Sequence, residues 1–96
     1  MKKYEMRLYA LSNLISEIDT ASRFGNEWYK FSDRFFSVLH VFRALEIISD
    51  LEHDFIFESL NHCFYKDCFE VRPYLKNLYK DEIEKQVKKS NKYNFA

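Results

Sequence analysis

Apolar residues recur along this chain at spacings of three and four, almost from its first residue. Tyr4, Leu8, Leu11, Ile15 and Ile18 form one such series, and Leu14 and Ala21 widen it. That period lines one face of an α-helix and predicts a helix over residues 3–23. Gly25 follows as a stop that can adopt a positive φ, and Asn26 stands where it can cap the next helix. The second helix is expected over about residues 27–49. Trp28, Phe31, Phe35, Val38, Phe42 and Leu45 make its main stripe, whereas Phe36, Val41, Ala44, Ile47 and Ile48 lie off it. A helix that is apolar around most of its circumference is either central or shared with a second subunit. Phe36, Ala44, Ile47 and Ile48 are therefore the expected interface of a homo-oligomer.

Ser49 and Glu52 have the spacing of a capping box, and they start a third helix over roughly residues 51–69. Its inward positions are Ile56, Phe57, Leu60, Cys63 and Phe64. Pro73 suits the first turn of a fourth helix, and Arg72 before it is expected outside helical geometry. Leu75, Leu78, Tyr79, Ile83 and Val87 are the apolar positions of that helix. Asp81 with Lys85, and Glu84 with Lys88, are acid-before-base pairs at the favoured spacing of four. Residues 1–89 read as a single helical domain and residues 90–96 as a frayed tail. One Gly and one Pro in 96 residues leave little for the tight turns of a β-protein. The expected fold class is all-α, a compact bundle of three or four helices.

Composition changes this picture in one respect. Aromatic residues make up 19% of the chain, with ten Phe, seven Tyr and one Trp. Each removes on the order of 150–250 Å² from water when buried, and a domain this small has difficulty hiding so many. Some are expected on a partner surface. The 15 basic and 15 acidic residues cancel, so no overall field draws the chain to nucleic acid or an anionic membrane. Charge is nevertheless uneven. Residues 51–70 hold five acids against one lysine, net −4, and residues 71–96 hold seven basic residues against three acids, net +4.

Candidate chemistry is sparse. Asp33, Ser37 and His40 bring an acid, a hydroxyl and an imidazole together, but side by side on one helix they cannot place the imidazole between the other two, and helix-interior N–H groups cannot form an oxyanion hole. His53, His62, Cys63 and Cys68 lack the paired spacing of a zinc site. The two cysteines sit too far apart on a helix for a disulfide, which suits reduced thiols in a reducing compartment. Gly25 stands alone, so no phosphate-cradling loop is present. The N-terminus lacks the apolar run of a signal peptide, and no stretch reaches membrane-spanning length. These features point to a cytoplasmic protein that is not an enzyme and carries no metal or cofactor.

The third helix offers the most. Asp54, Glu58, His62 and Tyr65 fall opposite its core face, with Leu51, Phe55 and Phe69 close by. Acids beside aromatics suit a basic partner that also presents an apolar pocket. Asp54, Phe55, Glu58, His62 and Tyr65 are thus the expected contact surface of a stoichiometric inhibitor of the immunity, antitoxin or phage anti-defence kind, acting on a basic, nuclease-like protein. The alternative is a helical nucleic-acid-binding subunit that uses Lys76, Lys80, Lys85, Lys88, Lys89 and Lys92 of the fourth helix and tail.

Overall fold

The computed structural model describes residues 2–23, 29–61 and 68–94. Among the described residues the regular structure is helical: α1 (Lys3–Ser22), α2 (Tyr29–Ala44), α3 (Asp50–Asn61) and α4 (Cys68–Asn94). Each helix packs on its neighbours in the chain, and α4 closes back on α1, so the four make an antiparallel ring. The α1–α4 seam is bound at both ends. Arg7 meets Glu82 at 3.4 Å, and Arg72 donates to Asp19 at the other end. Arg34 of α2 reaches Glu17 of α1 at 3.1 Å. None of the helices, within the described residues, is long and apolar enough to cross a membrane.

The core runs through the middle of the ring. Leu11, Leu14 and Ile18 of α1 meet Phe35 and Leu39 of α2, Ile56 and Leu60 of α3, and Val71 and Leu75 of α4. On α1 the buried face is rotated from the expected stripe, for Ala10 and Leu14 are fully covered while Tyr4, Leu8 and Ile15 are half-buried. The helix has partners on both flanks, so its apolar arc widens toward both.

The second helix stops earlier than its apolar pattern suggests. Its last regular bond runs from the Leu45 N–H to the Val41 carbonyl. Glu46 then adopts a left-handed conformation, φ 59°. Its N–H donates to the Arg43 carbonyl at 2.9 Å, and the Ile47 N–H donates to the Phe42 carbonyl, also at 2.9 Å. This pair of bonds is the Schellman arrangement, which is usually built on glycine. The reversal swings Ile47 and Ile48 inward, and Ile48 joins the core. The next helix begins at once. Ser49 Oγ accepts from the Glu52 N–H at 3.1 Å, and Glu52 returns the contact by accepting from the Ser49 N–H at 2.9 Å. The capping box legible in the sequence is therefore formed.

One side chain of α1 holds this junction in place. Arg7 donates from Nη1 to the Ile47 carbonyl at 3.0 Å and to Glu52 at 2.9 Å, and from Nη2 to the second Glu52 oxygen at 2.7 Å. With Glu82 on its Nε side, it connects α1, the α2–α3 turn, α3 and α4. The hydrogen bond to Glu52 raises the Arg7 pKa, against the opposing effect of burial. Burial pushes the Glu52 carboxyl up, but Arg7 and the Ser49 N–H together hold it below the usual range.

The fourth helix differs from expectation at its start. It begins at Cys68 and carries Pro73 inside, with Arg72 helical. Pro73 offers no N–H to the carbonyl four residues earlier, but it is exposed on the outer side, where water can satisfy that group. The backbone stays helical to Asn94, beyond the point where a tail was expected.

Two outcomes follow for stability. Glu46→Gly removes the left-handed penalty of a residue with a Cβ and is expected to stabilise the fold by about 0.5–1 kcal/mol in urea denaturation. Arg7→Met leaves two carboxylates and one carbonyl without their donor and is expected to cost about 2–3 kcal/mol by the same measurement. A neutral result for either variant would contradict the role given to that residue.

Candidate functional site

The inward face of α3 is set by His53, Ile56 and Leu60, all buried, with Phe57 half-buried against the core. On a 3.6-residue period, Leu51, Asp54, Phe55 and Glu58 then share the opposite face, and all four are exposed. Leu51 is 84% exposed and Phe55 43%. Phe55 leans on Tyr74 of α4, with ring centroids 4.4 Å apart, which keeps it from folding back over its own helix. The structure thus brings Asp54, Phe55 and Glu58 together as a surface. His62 and Tyr65, expected on the same surface, lie outside the described residues.

Asp54 has a second contact that the sequence did not disclose. His53, only 3% exposed, bonds through Nδ1 to Asp54 Oδ1 at 3.0 Å and through Nε2 to His40 Nδ1 at 2.7 Å. A carboxylate accepts, so the His53 Nδ1 donates and its Nε2 is left as an acceptor. His40 Nδ1 must then donate, and its Nε2 is left unprotonated. Phe57 stacks on His53 with the ring planes 8° apart. This acid–imidazole–imidazole chain bridges α2 and α3 and fixes both rings. Burial lowers the His40 pKa, and the nearby His53 and Arg43 lower it further.

His40 turns its Nδ1 to His53, while Asp33 and Ser37 sit exposed. His53 is occupied on both nitrogens, and no group of three or more metal-ligating side chains converges among the described residues. His62, Cys63 and the Cys68 side chain lie outside those residues.

The four residues expected at a subunit interface separate. Ile47 and Ile48 are buried within the single chain by the turn at Glu46. Phe36 is half-buried, edge-on to Phe57 at 5.1 Å. Ala44 is exposed. On α4, Lys76 and Lys80 point to one side, whereas Lys85 and Lys89 line a cleft of about 550 Å³ beside Arg7 and Glu46. The lysines do not form one continuous stripe. Comparison with protein-family models, with curated proteins and with solved structures finds no match.

The lowered His40 pKa sets a pH dependence. Above about pH 6.5 His40 is neutral in both states and contributes nothing. As pH falls below that value, the unfolded chain takes up the proton first, so stability declines toward the lower folded pKa. His40→Asn keeps an amide donor near the position of Nδ1 but cannot titrate. Thermal melts from about pH 7 to 5 should slope less in His40→Asn than in the native chain. Equal slopes would show that His40 does not govern this range.

Proposed function

We propose that the chain is a stoichiometric protein-binding protein, of the inhibitor, immunity or antitoxin kind, that holds a basic partner against the exposed face of α3. The observation that carries this reading is Leu51. A leucine 84% exposed, one turn from a half-exposed phenylalanine, is an apolar anchor without a cover among the described residues. Asp50, Asp54 and Glu58 surround it, all exposed. The partner that complements such a surface has an apolar pocket rimmed by lysine or arginine, as in the substrate groove of a nuclease. Apolar anchors at the centre of a contact set its lifetime, and rim charges set how fast it forms.

Nucleic acid is a poorer complement. Phosphate backbones are followed by rows of cations, and the lysines of α4 are divided between separate sides of the helix. The chain as a whole carries no net charge.

The test starts from the partner recovered by affinity purification and then measures its binding kinetics. Phe55→Ala and Leu51→Asp should each speed dissociation, with a loss of roughly tenfold or more in affinity. Glu58→Lys should chiefly slow association, and more so at low salt. All three positions are exposed, so the variants remain folded. If all three bind normally while Lys80→Glu with Lys88→Glu abolishes binding, the contact belongs to α4 and this reading fails.

A further inference from the structure

The cleft beside Arg7 measures about 550 Å³. Small-molecule sites occupy roughly 300–1,000 Å³, so its size suits one. The first turns of α1, the α2–α3 turn and the late turns of α4 make its walls, and the Arg7 network with Glu52 and Glu82 makes its base. Its charged residues divide by burial. Arg7, Glu52 and Glu82 are engaged with one another, and their side chains are only 22%, 15% and 11% exposed. Lys3, Lys85, Lys89 and Glu46 are exposed. A molecule entering the cleft therefore meets three ammonium groups against one carboxylate.

The lysines are also uncommitted. Among the described residues, Lys3, Lys85 and Lys89 make no ion pair or hydrogen bond. A local partner is at hand for Lys85, because Asp81 stands one turn before it at the spacing that favours pairing. That pair is not made, and Lys85 lines the cleft instead. Lys85 and Lys89 are themselves one turn apart, where like charges repel. An anion between them removes that cost. The start of α1 at the rim adds to the same field, for Lys2 gives the helix no side-chain cap and its dipole is positive there. Glu5, the acid of that first turn, falls on the other side of the helix by its period.

We propose that this cleft binds a small organic phosphate, with Lys3, Lys85 and Lys89 around the phosphoryl group and Tyr4 beside the organic part. Charge selects the phosphate. A phosphomonoester carries about −1.5 to −2 at neutral pH, whereas a carboxylate carries a single charge. Lysine meets a phosphate as a point charge and needs no bidentate geometry. The volume exceeds that of a phosphoryl group, which leaves room for an organic moiety against the half-buried Tyr4. The cations converge on one cleft and do not follow the line that a nucleic-acid strand requires. Arg7 ties the walls together from beneath, so the frame of the site exists before a ligand arrives. The cleft is separate from the exposed face of α3 and stands whether or not that face holds a protein.

Titration with phenyl phosphate at neutral pH and low salt, followed by amide NMR, tests the proposal. Saturable shifts should appear at Lys3, Tyr4, Glu46, Lys85 and Lys89, with a Kd on the order of 0.1–1 mM that weakens as salt is added. Lys85→Gln and Lys89→Gln should each weaken binding roughly fivefold, and Lys85→Arg should retain it. Glu46→Gln removes the opposing charge and should tighten binding about two- to threefold, a gain that loss of folding cannot imitate. Lys76→Gln, on another side of α4, should bind as the native chain does. Benzoate, with the same ring and a single charge, should bind at least about fivefold more weakly. Absence of saturable shifts, shifts that potassium chloride reproduces at equal ionic strength, or benzoate binding as tightly as phenyl phosphate would overturn the proposal. So would Lys85→Gln and Lys89→Gln variants with native affinity, or a Glu46→Gln variant that binds no more tightly than the native chain.

Discussion

Arg7 is the constraint on which the rest of the arrangement depends. Its guanidinium serves three different parts of the chain at once: a carbonyl in the α2–α3 turn, both oxygens of Glu52, and Glu82 on α4. Only arginine has the planar fork of donors to do this, for a lysine in its place offers one charged point. Each of the acceptors is partly shielded from water, so the contacts gain strength that surface pairs lack. The consequence is geometric. The α2–α3 turn, α3 and α4 are all referred to one atom group on α1, and the exposed face of α3 takes its orientation from that reference.

The turn between α2 and α3 translates that anchoring into surface. A left-handed residue at Glu46 ends α2 and directs Ile47 and Ile48 into the core, and Ser49 restarts the helix without a linker. The short turn leaves α3 little freedom to rotate about its own axis. The His40–His53–Asp54 chain removes more, because it pins α3 to α2 from the same side. Leu51 and Phe55 are held outward as a result of contacts made on the inward side of their helix.

The all-helical class was legible in the sequence because the three–four spacing of apolar residues is nearly continuous and turn-forming residues are scarce. The Ser49–Glu52 capping box was legible because it is a local pattern, and the exposed set of Asp54, Phe55 and Glu58 followed from helical period alone. The early end of α2 was not. A left-handed C-terminal cap is signalled by glycine, and here glutamate occupies it, so the apolar run through Ile48 read as more helix. His53 was hidden for a related reason. Its burial depends on His40, thirteen residues away on another helix, and no spacing rule reports a partner across a bundle. Likewise Glu82 faces Arg7 while Ile83 and Val87 are exposed, an inversion that becomes visible only when α1 is laid beside α4.

The α1–α4 seam gives the molecule a mechanical character. Lys3 and Lys89 line one cleft, so the first turn of α1 and a late turn of α4 lie at the same end of the bundle. Tension applied across those two points does not shear the helices along their length. It peels one from the other, and the load falls first on the few contacts around Arg7 and Glu82, then on each turn in succession toward Asp19 and Arg72.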